Sequence, residues 1–345
     1  MLAQGVPGFQ YEAEGSSAGL TSLAGLPLYL DLIQASGLAE AIRQHVRVAG
    51  AQGWLDIQMV LALIFLNLAG GDCVEDLERL EGDSGFAAVL QAIEHELLSR
   101  AERRSLKARW RRMRGRTVPS PTALSAWLER FHDPAAPKAV AGSAFIAAVT
   151  EELPGLWKVN QALPGFSQTH QPAASATLDR DATLIETHKR DALPCHKGFK
   201  AYQPLNCWWA EQGAMLYSEF RDGHVPAGHE QLRERCGKSE EVHSVMKSDP
   251  AGGQLPSGRF GANPAWWALT ILAHNLNAAM KRLVPGEAWA SRRRKAPRFR
   301  LIGLPGRVVS HARRLVIRLG AEVQALETII TARQTIRALA CGPAG

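Results

Sequence analysis

Residues 176–185 read Ala-Thr-Leu-Asp-Arg-Asp-Ala-Thr-Leu-Ile, and the fold turns on how they are taken. Here the texture changes from helix and punctuation to strand. Asp179 and Asp181 stand two apart, so on a strand both point to the same side of a sheet. A strand interior is an expensive place for a carboxylate unless it lies at the end or meets a cation. Asp-x-Asp alone fits a solvated strand end as well as a metal site.

Downstream, residues 199–209 and 214–220 read as two further strands, joined by the hairpin turn Ala210-Glu211-Gln212-Gly213. After Gly228 the pattern returns to helix. A Gly-rich loop at 252–261 leads to Asn263-Pro264, which caps a buried helix carrying Trp266, Trp267, Ile271 and Leu276.

Upstream, residues 26–115 read as helical. Leu28–Ala41 is apolar-rich, with Pro27 suited to its first turn and Gly37 a possible break; Trp54–Ala69 is a second, largely buried helix. A third, from about His95 to Arg114, is amphipathic, with Leu106, Trp110 and Met113 on one side and Arg103, Lys107, Arg111 and Arg114 along another. Ser120 caps and Pro121 opens the next helix, which continues through Leu124, Trp127, Leu128 and Phe131. Short Arg-rich helices of this kind suit a helix-turn-helix reader or a purely structural three-helix bundle. The segment 154–175, rich in Pro, Gly, Ser, Gln and His, reads as a linker.

The expected class is α+β, mostly helical. A disordered tail (1–17), a helical DNA-binding domain (18–153) and the linker precede a sheet-containing domain (176–282). A basic, helical C-terminal region (283–345) follows.

Net charge is +7, but it is unevenly spread. Arg100–Arg116 holds nine basic residues against Glu102 alone, and Lys281–Arg318 holds twelve against Glu287 alone. Those segments carry +8 and +11, so the remainder sums to −12. Concentrated positive charge is expected where a phosphate backbone is gripped, although a solvated basic helix has the same composition. Arg292, Arg293, Arg294 and Lys295 form the densest run.

The longest apolar run, Met59–Ala69, is interrupted by Asn67 and is shorter than the roughly 20 residues a membrane span needs. No basic-then-apolar leader begins the chain. Five scattered cysteines, with no C-x-x-C pair, suggest neither a disulfide framework nor a zinc site, and a reduced cytoplasm is expected.

A second chemical candidate is Arg235–Lys247. On a helix beginning near Ser239, the side chains of Glu240, His243 and Lys247 share a face. Helix capping accounts for that pattern equally well: Ser239 as cap, acids in the first turn, Lys247 near the other end.

Five blocks together resemble the catalytic domain of DDE transposases from bacterial insertion sequences. They are the string around Asp179 and Asp181, Gly198-Phe199-Lys200-Ala201-Tyr202, Phe220-Arg221-Asp222-Gly223, the Glu240 helix and the stretch from Leu255 to Asn263. Gly70–Leu77 and the Pro119-Ser120-Pro121 turn extend the resemblance over nearly the whole chain. It implies an RNase H-like mixed sheet whose three carboxylates hold two Mg²⁺ or Mn²⁺ ions. Those metals activate water and then a DNA 3′-hydroxyl for in-line attack on phosphorus. By position, the first-strand Asp is Asp181, with Asp179 as second choice, and the helix Glu is Glu240, so Asp181 and Glu240 are the implied metal ligands. Lys247 lies seven residues beyond Glu240, as in the family motif, whereas Arg235 lies five before it where the family has four. Arg235 and Lys247 join Arg103, Lys107, Arg111, Arg114, Arg292, Arg293, Arg294 and Lys295 as expected DNA contacts.

One departure is decisive. The family's second Asp ends a fourth strand that pairs with the first, but Glu240 follows Asp222 by only eighteen positions, with no strand-like run between. An internal deletion is implied, leaving two carboxylates for two metals and an exposed, apolar edge on the first strand. The implied partner is double-stranded DNA at transposon terminal inverted repeats, with a homo-oligomer or a mixed oligomer with intact transposase possible. The expected activity is DNA binding with impaired cleavage. The alternatives are a non-cleaving regulator of those ends and a degenerate, poorly folding product.

Overall fold

Helical spacing in the first third of the chain translates directly into structure. The computed structural model describes residues 19–50, 53–97, 99–105, 116–135, 150–225, 253–285, 289, 292, 295–311, 314–320 and 323–341. It is mixed α+β, about 52% helical, with small antiparallel sheets. After β1 (Leu20–Thr21), α1 (Pro27–Ala35) and α2 (Leu38–His45) are separated by Gly37, whose φ of 70° lies where a side chain would be strained. Helix α3 (Asp56–Ala69) is buried on every side from Ile57 to Leu68. Helices α4 (Leu77–Gly82) and α5 (Ser84–Leu97) follow, and residues 100–105 are also helical. Helix α6 (Pro121–Glu129) starts as expected, with the Ser120 hydroxyl accepting from the Ala123 N–H at 3.2 Å.

The expected linker is instead a helix, α7 (Leu153–His170). Counting its Pro and Gly hid an apolar stripe: Leu153, Leu156, Trp157, Val159 and Leu163 are buried. Pro154 stands in the first turn, where its missing N–H costs nothing.

The central strands are β2 (Leu178–Ala182), β3 (Ile185–Glu186), β4 (Leu193–Pro194), β5 (Lys200–Tyr202), β6 (Leu205–Trp209) and β7 (Ala214–Glu219). They form two antiparallel sheets, ordered β2-β6-β7 and β3-β5-β4. The second expected strand is broken at Gln203-Pro204 because proline has no N–H for the ladder. The hairpin turn forms as read, with Gly213 at φ 62°. Among the described residues nothing pairs with the outer edge of β2. That edge is charged rather than apolar: Asp179, Arg180 and Asp181 occupy it, and only Leu178 is an exposed apolar residue. Charge on an open edge disfavours pairing with another chain.

Helix α8 (Ala262–Leu283) is the spine of the molecule. Every residue from Ala262 to Asn277 is buried, as expected of a helix surrounded by protein. It packs on α3, α7 and β7.

The C-terminal region is not simply helical. After a helical turn at 295–302 come β8 (Gly306–His311), β9 (Arg314–Leu319) and only then α9 (Val323–Ala340). The Val308-Val309 and Val316-Ile317 pairs supply β-branched residues, a strand signal masked by the surrounding arginines. Strand β8 lies between β1 and β9, and α9 packs on α1, so the two ends of the chain share one core. Gly25 marks the closest approach, with its N–H bonded to the Ile302 carbonyl at 3.2 Å. Among the described residues no single helix is long and apolar enough to cross a membrane.

Candidate functional site

Strand β2 carries both carboxylates on the sheet face from which Trp208 and Ser218 contact α8. Asp179 is only 4% exposed and faces Trp208 across the ladder, while the half-buried Asp181 faces Asn206. Cross-strand partners share a face, so Ser218, opposite Asn206, belongs to the same surface. Behind it runs a chain of buried hydrogen bonds. Trp267 Nε1 donates to Ser218 Oγ at 2.9 Å, Ser218 Oγ donates to Asn206 Oδ1 at 2.6 Å, and Asn206 Nδ2 donates to Thr183 Oγ1 at 3.0 Å. Asp181 Oδ1 accepts the Ala182 N–H at 2.8 Å. A solvated strand end therefore fits Asp181 far better than Asp179. Sequence reasoning missed Thr183, Asn206 and Ser218. The available signal was an Asn inside the otherwise apolar run 205–209.

Among the described residues no group of three or more His, Cys, Asp or Glu could hold a metal. Asp179 and Asp181 supply two carboxylates on one strand, and Mg²⁺ is commonly held by one or two carboxylates with waters completing its octahedron. Glu240, Arg235 and Lys247 lie outside the described residues. Cys207, across the ladder from Arg180, has its thiol pushed up by burial and so stays protonated.

The blocks 198–202 and 220–223 meet at one corner of the sheets. Asp222 is 3% exposed, and its Oδ1 accepts the N–H groups of Leu193 at 3.0 Å and Gly223 at 2.7 Å. Phe220, Tyr202 and Phe260 pack ring against ring beside it, with centroids 5.2–5.6 Å apart. The corner is a structural joint: Asp222 ties β4 to the end of β7. Burial pushes its carboxyl above the usual range, outweighing the two amide donors. Since the folded state binds that proton more tightly, Asp222 favours folding most below the ordinary Asp range, and the advantage fades as pH rises through the raised value. Asp222→Asn is expected to keep the acceptor and flatten this pH dependence in urea unfolding. Asp222→Ala strands two buried amides at about 1–3 kcal/mol each. Equal stability of the two variants would remove the joint from Asp222.

Much of the positive charge serves the fold. Arg116 pairs with Glu78 at 2.8 Å, and Arg43 meets Glu102, the only acid of the first basic segment, at 3.4 Å. Lys281 Nζ donates to the Arg292 carbonyl at 2.6 Å, and Arg282 donates to the Glu211 carbonyl. The Arg298 guanidinium lies against Gly70 at the C-terminal end of α3, where a cation is favoured. Arg103 is exposed. Arg292 is half-buried, with its guanidinium 5.3 Å from the Trp289 ring. Lys107, Arg111, Arg114, Arg293 and Arg294 lie outside the described residues, as does the side chain of Lys295.

No protein-family model, curated protein or solved structure matches this chain.

Proposed function

We propose that this chain is a DNA-binding protein of the DDE transposase type, with a reduced RNase H-like sheet and an incomplete set of catalytic acids. The observation that carries the reading is the β2-β6-β7 sheet. Its antiparallel strands β2, β6 and β7 set an Asp-x-Asp pair on the inner face of β2, as the family's first three strands would, although β3, β4 and β5 intervene between β2 and β6 along the chain. The charged outer edge of β2 is where that fold's fourth strand would pair. The two basic segments support contact with a phosphate backbone.

In-line phosphoryl transfer uses one metal at the nucleophile and one at the leaving oxygen, about 3.5–4 Å apart. Between Asp222 and Glu240 the only acids are Glu230 and Glu234, and no strand-like run carries either. The expected result is duplex DNA binding that weakens steeply with salt, without Mg²⁺- or Mn²⁺-dependent nicking of a supercoiled plasmid carrying the element's ends. Asp181→Ala serves as the control. Metal-dependent nicking by the parent chain that disappears in this variant would establish a working nuclease and refute the loss of cleavage. Absence of duplex binding at low salt would refute the DNA-binding reading itself.

A further inference from the structure

The helical turn 295–302 is pinned on both sides and leaves its middle in solvent. Pro297, Leu301 and Ile302 are buried, and the Ile302 carbonyl accepts the Gly25 N–H at 3.2 Å. Arg298 turns inward, with its guanidinium against Gly70 and its Nη2 reaching the Asn67 carbonyl at 3.5 Å. The Gly303 N–H closes back onto the Arg298 carbonyl at 2.7 Å, which fixes the backbone across Phe299 and Arg300. Between these anchors Phe299 and Arg300 are exposed. Among the described residues no large apolar side chain is more exposed than Phe299, at 73%, and Arg300 forms no ion pair.

A phenyl ring left in water forgoes the burial that ordinarily keeps Phe inside a fold. The constrained backbone holds this ring out, as a loose loop would not. Its surroundings are cationic: residues 291–300 hold six Lys or Arg, and the stretch 288–321 contains neither Asp nor Glu. A partner that fits this turn therefore combines dense negative charge with room for one apolar side chain.

We propose that Phe299 inserts as a wedge between two base pairs of duplex DNA from the minor groove, with Arg300 contacting an adjacent backbone phosphate. This rests on the DNA-binding reading above and names how one point of the surface engages the duplex. An apolar side chain inserted in this way unstacks a base step and kinks the helix. A membrane is the other anionic surface that accepts a basic, aromatic turn. Membrane binding grows with the apolar area inserted, however, and here Pro297, Leu301 and Ile302 are buried, so Phe299 would insert alone. One side chain suffices for a wedge, and this favours DNA.

The test uses the full chain and two 30-base-pair DNA duplexes, one fully paired and one with a central T·T mismatch. Each carries a fluorescence-transfer pair at its ends. Unstacking costs least at a mismatch, so the parent chain should bind the mismatched duplex about fivefold or more tighter and bend it by roughly 20–90°. Phe299→Ala should abolish both the preference and the bend, while Phe299→Leu, which still offers an apolar wedge, should retain them. Arg300→Gln should keep the preference and flatten the slope of log affinity against log salt by about 0.9. Neither substitution of Phe299 should move the thermal midpoint. A midpoint lowered by Phe299→Ala would show the ring packed inside, and the proposal falls. An unchanged salt slope in Arg300→Gln overturns the phosphate contact. If the parent binds duplex DNA without preference or bend, or if both survive in Phe299→Ala, the wedge is overturned and the DNA-binding reading stands. A parent chain that ignores duplex DNA overturns both. Binding to phosphatidylserine-containing vesicles that depends on Phe299, with mismatch preference that does not, assigns the turn to a membrane and overturns the wedge.

Discussion

Replacing Gly25 with Ala should cost about 3–5 kcal/mol, the largest loss expected from adding a methyl group at any of the described glycines. A Cβ at this position would stand 1.6 Å from the Leu301 carbonyl oxygen and 2.6 Å from its carbon. Both obstructing atoms are backbone, so no side-chain rotation relieves the clash. Separating the segments also sacrifices the bonds from Ala24 N–H to the Leu304 carbonyl and from Gly25 N–H to the Ile302 carbonyl. The measurement is a urea midpoint with unchanged slope. Gly165→Ala supplies the contrast. Gly165 lies exposed in α7, and a methyl group added there would meet nothing within 4 Å, so alanine should stabilise by about 0.5–1 kcal/mol. A Gly25→Ala loss below about 1 kcal/mol would mean that the two ends of the chain do not share a core.

The second large effect is at Trp267, which is fully buried in α8. Trp267→Ala should cost about 3–5 kcal/mol through the cavity it leaves. Trp267→Phe keeps most of the ring but removes the Nε1 donor to Ser218, and should cost about 1–3 kcal/mol. The hydrogen bonds continue from Ser218 through Asn206 to Thr183, two residues along the chain from Asp181. A Ser218→Ala change made together with Trp267→Phe should therefore cost less than the sum of the two. Strict additivity in that double-mutant cycle would show that the indole and the hydroxyl do not interact.

The sequence by itself determined most of the local elements. Pro27 and Gly37 bracket α1, Ser120-Pro121 starts α6, Gly213 turns the β6–β7 hairpin, and the all-round apolar pattern marks α3 and α8 as interior. Each depends on a residue whose backbone preference or missing side chain acts within a few positions. Tertiary structure alone decided the rest. Residues 153–170 became a helix because their apolar stripe had α2 and α8 to pack against, which outweighed the Pro and Gly content. Residues 306–319 became a hairpin because β1, at the far end of the chain, offered its partner edge.

The candidate site divides along the same line. Asp179 and Asp181 were legible as a same-side pair from the period of a strand. Which of them is buried, and that Asn206 and Ser218 stand beside them, depended on ladder register and on the helix behind the sheet. Likewise, charge clustering was legible, but the diversion of Arg116, Lys281, Arg282 and Arg298 into internal contacts was not. Charge is a property of each residue, whereas availability to a partner depends on what the fold brings within hydrogen-bonding distance.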